Sequence, residues 1–203
     1  MRHIFVDMSN LVGGAMEYFN WKDDLSILDA HDTIDPLNIL LFFGRGKYGT
    51  HAVAGSIPDA FIGVPNWVLA LRKAGFSDMV YRREQKEITV DDFLCKKALM
   101  IHSTPTDTFV FITGDGNDGH GYGSFFDTIK FLLERKNRVE IWSFRSHLSS
   151  RYSTELQQYF PDFLSVNALD DFAQYDSAKR KFQLEVALLF NSGLSSILIY
   201  YIF

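Results

Sequence analysis

The alternation of short β-rich runs with helical runs along this chain predicts an α/β fold, with helices on both faces of a parallel sheet. Apolar runs rich in Val, Ile and Phe recur along the sequence, and stretches with helical spacing separate them. The 203 residues suffice for one compact domain with an appendage. Because 47% of the residues are hydrophobic and 22% are charged, the composition is that of a globular protein.

Five runs are expected to form the strands of this sheet. The clearest is 108–113, which stops at a glycine-rich loop. The others, in chain order, are 3–6, 51–55, 79–81 and 138–144. Two further short segments, 154–160 and 163–166, follow the fifth strand.

Helices are expected between the strands. Residues 36–43 carry a proline in the first turn and residues 64–74 end at Gly75, which are usual positions for these two residue types. Further helices are expected at 10–19, where two glycines weaken the pattern, and at 91–102 and 125–135. The acidic, irregular stretch 21–35 is expected to be a surface loop.

Charge and cysteine content limit the function classes. The net charge of −5 excludes a general electrostatic attraction to nucleic acid, so a nucleic-acid site requires a local patch or cations held by carboxylates. Cys95 is the single cysteine of the chain, which excludes an intrachain disulfide. A reducing compartment, the cytoplasm or the nucleus, is therefore expected.

The two ends of the chain differ in character. We expect no signal peptide, because Arg2 and the apolar residues after it run directly into Asp7. Residues 184–203 are apolar and just long enough to span a bilayer. Polar residues interrupt the centre of this stretch and no basic flank follows it, so a buried helix and strand is favoured and a membrane contact is not expected.

Carboxylates follow two of the expected strands. Asp7 comes directly after the first strand, and Asp115 follows the fourth. In an open parallel sheet, ligands bind at the carboxyl ends of the strands where the strand order reverses. If the first and fourth strands are neighbours there, Asp7 and Asp115 face one another, and Asp91 at the start of the preceding helix can join them.

Such a cluster favours a divalent cation. Carboxylates only a few ångströms apart repel, and a cation removes that conflict. All-oxygen ligands suit Mg²⁺ or Mn²⁺, whereas zinc is disfavoured because no His or Cys residues show ligand spacing. The glycines at 114, 116 and 119 are expected to permit tight turns and the close approach of a phosphate chain.

Each acidic residue also has a structural interpretation. Asp7 and Asp91 could each cap the helix that follows, and the Gly-Asp-Gly-Asn-Asp-Gly segment at 114–119 could be a polar turn. Asn10 is expected to organise the loop after Asp7 rather than to bind a metal directly. The joint placement of three acidic sites at one crevice favours the metal site.

Basic residues supply a second indication. Arg82, Arg83 and Lys86 precede Asp91, and Arg145 and Arg151 follow the fifth strand; all five are candidates for contacts with nucleic-acid phosphates. Solvated surface charge explains each of them equally well. The histidines at 102, 120 and 147 have no carboxylate or serine at a suggestive spacing, so no catalytic role is assigned to them.

In these motifs the chain resembles the NYN domains, relatives of the PIN-domain nucleases. The resemblance covers roughly the first 170 residues, and the two specific motifs are Ile-Phe-Val-Asp-Met-Ser-Asn-Leu at 4–11 and Ile-Thr-Gly-Asp-Gly-Asn at 112–117. Weaker matches lie at 53–56, 89–91, 139–144 and 148–149. The resemblance implies a three-layer α/β/α sandwich with a mostly parallel sheet over residues 1–172, followed by a tail at 173–203.

The resemblance also implies a function. The expected activity is hydrolysis of RNA phosphodiester bonds, in single-stranded or structured RNA, by water that Mg²⁺ or Mn²⁺ activates in an acidic pocket. The implied catalytic and metal-binding residues are Asp7, Asp91 and Asp115, with Ser9, Asn10 and Asn117 in support. Many relatives carry an Asp at the position of Asn117. Asp118 is the candidate substitute, and the change puts full catalytic strength in question.

Three alternatives stay open. A phosphatase of the haloacid-dehalogenase type has a similar Gly-Asp loop, but it needs a second Asp where Ser9 stands. An adhesion-type metal site begins with Asp-x-Ser, but it needs a serine where Leu11 stands and leaves Asp91 unexplained. A catalytically weak NYN-like domain that binds RNA or scaffolds other proteins fits the sequence best among these alternatives, and a homo-oligomer is compatible with all of them.

Overall fold

A six-stranded parallel sheet organises the computed structural model, which describes residues 1–20, 33–43, 48–57, 63–82, 88–116, 124–176 and 181–184. Its strands are β1 (Arg2–Asp7), β2 (Tyr48–Ile57), β3 (Ser77–Arg82), β4 (Thr108–Ile112), β5 (Arg138–Ser143) and β6 (Leu164–Ala168). They lie side by side in the order β3-β2-β1-β4-β5-β6. The expected α/β fold with a parallel sheet is therefore confirmed.

Helices connect the strands, as parallel pairing requires. They are α1 (Met8–Tyr18), α2 (Pro36–Phe43), α3 (Asn66–Lys73), α4 (Ile88–Leu99) and α5 (Phe125–Glu134). A 3₁₀ turn (Arg145–His147) follows β5, and a π-helical turn (Tyr152–Leu156) continues into one α-helical turn (Gln157–Tyr159). Most bounds lie within three residues of the expected ones.

Two helices begin earlier than expected, and both differences concern the acidic residues. α1 begins at Met8 because the Asp7 side chain accepts a hydrogen bond from the Asn10 N–H and caps it. α4 begins at Ile88, so Asp91 lies within its first turn rather than at its N-cap.

The sheet has a hydrophobic core on each face. Successive residues of β1 point to opposite faces, so Ile4 and Val6 contribute to one core and Phe5 to the other, each at most 1% exposed. The first core contains residues of α1, α2 and α3, and the second contains residues of α4, α5 and the π-helical turn. The molecule is therefore a three-layer α/β/α sandwich, as expected.

The strand order reverses between β1 and β4. β2 and β3 lie on one side of β1, whereas β4, β5 and β6 lie on the other. Val6 in β1 is paired with Ile112 in β4, the last pair between the two strands, and Asp7 and Thr113 follow directly. The first and fourth strands are thus neighbours, which meets the condition set for the acidic crevice, and a crevice opens at their carboxyl ends.

A hairpin of β7 (Ala173–Asp176) and β8 (Lys181–Leu184) follows the sheet. Ala173 and Leu184 are buried in the first core, and the Asn38 amide in α2 exchanges two hydrogen bonds with the Leu184 backbone, at 3.1 and 2.7 Å. The expected boundary at 172 therefore falls at a hairpin that packs on the domain.

Several segments for which we expected a structure from the sequence lie partly or wholly outside the residues that the structure describes. The apolar stretch after Leu184 and most of the expected loop at 21–35 lie outside the described residues. Among the described residues, no helix combines the length and apolar character needed to cross a membrane.

Candidate active site

A cavity of about 540 Å³ opens at the carboxyl ends of β1 and β4. The carboxylates of Asp7, Asp91 and Asp115 come from β1, α4 and the loop after β4, and all three residues line this cavity. Ser9 and Asn10 line it as well, and residues 146–149 line the part contributed by the segment after β5. The structure thus brings together the three described acidic residues that the sequence singled out.

Asp7 has both of the roles considered for it. One carboxylate oxygen caps α1 at 3.0 Å from the Asn10 nitrogen, and the other accepts a hydrogen bond from the Thr113 hydroxyl at 3.3 Å. The residue is only 6% exposed. Burial, with a contribution from the nearby charge of Asp115, raises the Asp7 pKa from 3.8 to about 6. A cation beside Asp7 would offset this penalty on its ionised form.

Asn10 connects three elements at the crevice. Its side-chain oxygen accepts hydrogen bonds from the Gly114 N–H at 2.9 Å and from the Ser143 hydroxyl at 3.0 Å. The first turn of α1 is therefore tied to the ends of β4 and β5. Ser9, one residue earlier, accepts a hydrogen bond from the Ser56 N–H at 3.2 Å and so ties α1 to β2.

The glycines of the Asp115 loop are explained by protein packing. A Cβ at Gly114 would overlap the carbonyl group of His147, and one at Gly116 would overlap the Ser149 side chain. The lack of a side chain at these two glycines thus lets the segment after β5 pack against the loop, and the expected approach of a phosphate chain stays a prediction. Gly119 lies outside the described residues.

The donor set fits a hard divalent cation in its chemistry. Among the described residues, no group of three His, Cys, Asp or Glu side chains is arranged closely enough to hold one ion as it stands. Mg²⁺ and Mn²⁺ commonly use one or two carboxylates together with waters and substrate phosphates. Asp7 and Asp115 interact electrostatically and supply two carboxylates to the cavity. Asn117 and Asp118 lie outside the described residues.

Of the five basic candidates, the structure describes the side chains of two, Arg145 and Arg151. Arg145 is exposed and forms an ion pair with Asp171 at 2.6 Å, and Arg151 forms one with Glu155 at 2.8 Å. Neither residue is among those that line the cavity. Arg82 ends β3, which β2 and β1 separate from β4, and the candidates at 83 and 86 lie outside the described residues.

Sequence reasoning missed the contribution of the segment after β5. His147 was assigned no role for lack of a partner, but its Nε2 lies 3.1 Å from the Glu17 carboxylate in α1. The strand order could have predicted this contribution, because β5 lies next to β4 and the residues that follow β5 therefore reach the same crevice. The same rule predicts that Ser143 and Thr113 lie at the crevice, since they stand at the ends of β5 and β4. Ser143 donates a hydrogen bond to Asn10, and Thr113 donates one to Asp7.

Together, the strand order and the acidic crevice define a doubly wound α/β domain with a carboxylate-lined cavity at the carboxyl ends of its strands. No family model matches the chain, and neither a curated protein nor a solved structure matches it. The likeness to NYN domains thus rests on the motifs of the sequence.

Proposed function

We propose that this protein is a divalent-metal-dependent ribonuclease of the NYN type, a member of the PIN-like nucleases. The observation that carries the proposal is the lining of one cavity by Asp7, Asp91 and Asp115 at the point where the strand order reverses. The motifs around Asp7 and Asp115 supply the RNA substrate class. A reducing compartment, the cytoplasm or nucleus, fits the buried thiol of Cys95, the single cysteine.

Asp7 and Asp115, with Asp91 beside them, would hold Mg²⁺ or Mn²⁺. When bound, such an ion activates water for attack on phosphorus and neutralises charge on the phosphate oxygens. The chain itself supplies the negative charge that attracts the cation, and it holds that charge in a half-enclosed cavity. Asp118 joins this proposal as a fourth carboxylate.

The other cavity residues prepare the site. Asn10 fixes the end of β4 relative to α1, so the carboxylates of Asp7 and Asp115 keep their separation as substrate enters. A cavity of about 540 Å³ lies within the usual range for small-ligand sites and can admit a nucleotide unit. Phosphate contacts are proposed for Arg82, Arg83, Lys86 and Arg145, and Arg145 would have to leave its present ion pair to make one.

A catalytically weak domain that binds RNA or scaffolds other proteins is the second candidate. Asn117 stands where many NYN relatives have a carboxylate, and a missing acid lowers the affinity for a second ion.

The test is cleavage of end-labelled single-stranded and structured RNA with Mn²⁺, Mg²⁺ or EDTA. We expect metal-dependent cleavage by the unchanged protein and none by Asp115→Asn. Asp91→Asn and Asp92→Asn form a matched pair, because only the first of these neighbours lines the cavity, and Asp92 lies 3.9 Å from Lys96. Cleavage should fall in Asp91→Asn and persist in Asp92→Asn. RNA binding by folded protein without cleavage under any metal would support the second candidate instead.

A further inference from the structure

Three consecutive carbonyl groups around Asp115 are held by one short segment of the chain. The Gly114 carbonyl accepts a hydrogen bond from the Ser149 N–H at 2.9 Å, and the Gly116 carbonyl accepts one from the Arg151 guanidinium at 2.9 Å. Between them, the Asp115 carbonyl accepts a hydrogen bond from the Tyr152 hydroxyl. We call residues 149–152 the clamp segment.

The amide groups of the same loop are held from the other direction. The Gly114 N–H donates to Asn10, and the Asp115 N–H donates to the Thr113 hydroxyl at 3.3 Å. Both sides of the peptide chain at Asp115 are thus paired with other parts of the site. Such pairing restricts the orientation of the Asp115 Cα–Cβ bond, since that bond is set by the two flanking peptide planes.

The position of Tyr152 in the fold suits it to donate the hydrogen bond to the Asp115 carbonyl. Its side chain is fully buried in the π-helical turn, and irregular helical turns of this kind are frequent at functional sites. From this buried position the hydroxyl donates to the Asp115 carbonyl.

Arg151 is held in place by two further contacts. Its guanidinium lies 4.0 Å from the centre of the Phe126 ring in α5, and its Nε donates to Glu155 at 2.8 Å. With these contacts fixed, the remaining hydrogen bond reaches the Gly116 carbonyl in a defined direction. Arg151 thus links the Asp115 loop to the start of α5.

We propose that Arg151 and Tyr152 are positioning residues that hold the Asp115 carboxylate in the orientation in which it binds the metal. This inference rests on the proposed function, because it assigns to Asp115 the binding of Mn²⁺ or Mg²⁺. Residues that orient metal ligands act through the ligand, and neither Arg151 nor Tyr152 lines the cavity itself.

The test compares Mn²⁺ binding by the full chain and by two variants, using titration calorimetry. Tyr152→Phe removes the hydroxyl but keeps the buried ring, and Arg151→Met removes the guanidinium but keeps an apolar side chain over Phe126. Each should weaken Mn²⁺ binding by about 10- to 100-fold, the usual effect of losing a partner of a metal ligand. Tyr159→Phe, at a residue 79% exposed, and Arg135→Met, whose guanidinium lies 5.4 Å from the Phe131 ring, are the matched controls and should leave it unchanged.

Hydrogen exchange of the metal-free protein supplies a second readout. Both variants should accelerate exchange at residues 114–116 and leave β4 protected. Lower thermal stability or faster exchange with unchanged Mn²⁺ affinity would overturn the inference, because the two residues would then be merely structural. Unchanged exchange at 114–116 would overturn it as well. Failure of the unchanged protein to bind Mn²⁺ would overturn the proposed function and this inference together, so the two failures are distinguishable.

Discussion

The side-chain oxygen of Asn10 accepts a hydrogen bond from the backbone N–H of Gly114 at 2.9 Å, although the two residues are 104 positions apart in the chain. This contact joins the first turn of α1 to the end of β4, and the Ser143 hydroxyl donates to the same oxygen. This amide group therefore helps to set the relative position of the two acidic residues Asp7 and Asp115, together with the Thr113 hydroxyl, which bonds to both.

Replacement of Asn10 by Ala should destabilise the fold and weaken the site. The Gly114 N–H and the Ser143 hydroxyl both lose their acceptor, and leaving a buried donor unpaired costs about 1–3 kcal/mol. Urea unfolding measures this loss in the free energy of unfolding. Asn10→Asp keeps an acceptor oxygen but adds charge beside Asp7, so it should unfold more easily in EDTA than in Mn²⁺. Equal stability of Asn10→Ala and the unchanged protein would contradict the role given to this residue.

The raised pKa of Asp7 predicts a specific pH dependence of stability. Between 3.8 and about 6 the folded protein binds more protons at Asp7 than the unfolded chain does, so the free energy of unfolding falls as the pH rises through this range. Ionisation of Asp7 lowers the free energy of unfolding by about 3 kcal/mol in total, and it causes no further decrease at higher pH. Asp107, whose pKa is lowered by its hydrogen bonds to the N-terminal amine and Thr104, contributes the opposite trend.

Comparison with Asp7→Asn isolates the contribution of Asp7, because Asp107 and the other acids are present in both proteins. In EDTA, the variant should gain stability relative to the unchanged protein from pH 4 to pH 6 and keep a constant advantage above it. Denaturant unfolding at a series of pH values measures the difference. If the difference in the free energy of unfolding between the two proteins does not change with pH, burial does not disfavour the ionised form of Asp7.

Gly114→Ala should be far more damaging than Gly13→Ala. At Gly114 the new methyl group overlaps the backbone carbonyl of His147, which has no free rotation to relieve the contact, and overpacking of this kind costs about 1–3 kcal/mol. At Gly13 it lies 3.3 Å from the His147 ring edge, and alanine is the better helix former by about 1 kcal/mol. Thermal unfolding of both variants provides the check, and equal midpoints would refute the packing explanation.

Asn38→Ala should loosen the hairpin of β7 and β8. The Asn38 amide both donates to and accepts from the Leu184 backbone, so its removal leaves two backbone groups without these partners. We expect a loss of about 1–3 kcal/mol in the free energy of unfolding. Exchange at Leu184 should accelerate while exchange in β1 stays slow. Uniform acceleration across both regions would mean that the hairpin unfolds only together with the sheet.

The fold and the position of the site were predictable because both follow from local patterns. The apolar run before Asp7 and the one before Asp115 each identify a buried strand and the residue at its carboxyl end. Parallel pairing then brings such ends to one edge of the sheet. The edge of the sheet that holds the cavity therefore follows from the sequence without any knowledge of side-chain geometry.

Contacts between distant side chains were not predictable from spacing. Glu17 and His147 are 130 residues apart, and they meet because α1 packs against the turn after β5. The sequence made Arg145 a candidate for contact with phosphate. In the structure, β5 pairs with β6, and Arg145 forms an ion pair with Asp171 in the segment after β6. The predicted starts of the helices differ less from the structure. α4 begins at Ile88, three residues before the start that the sequence pattern predicted at Asp91.

The central place of β1 has a consequence for the synthesis of the chain. Both neighbours of β1 come later, since β2 ends at Ile57 and β4 ends at Ile112. The apolar residues Ile4, Phe5 and Val6 therefore have an unpaired strand edge on the ribosome until residue 112 has emerged, which is a setting that favours aggregation and chaperone binding. A polypeptide that terminates before β4 lacks half of the crevice and the loop that carries Asp115.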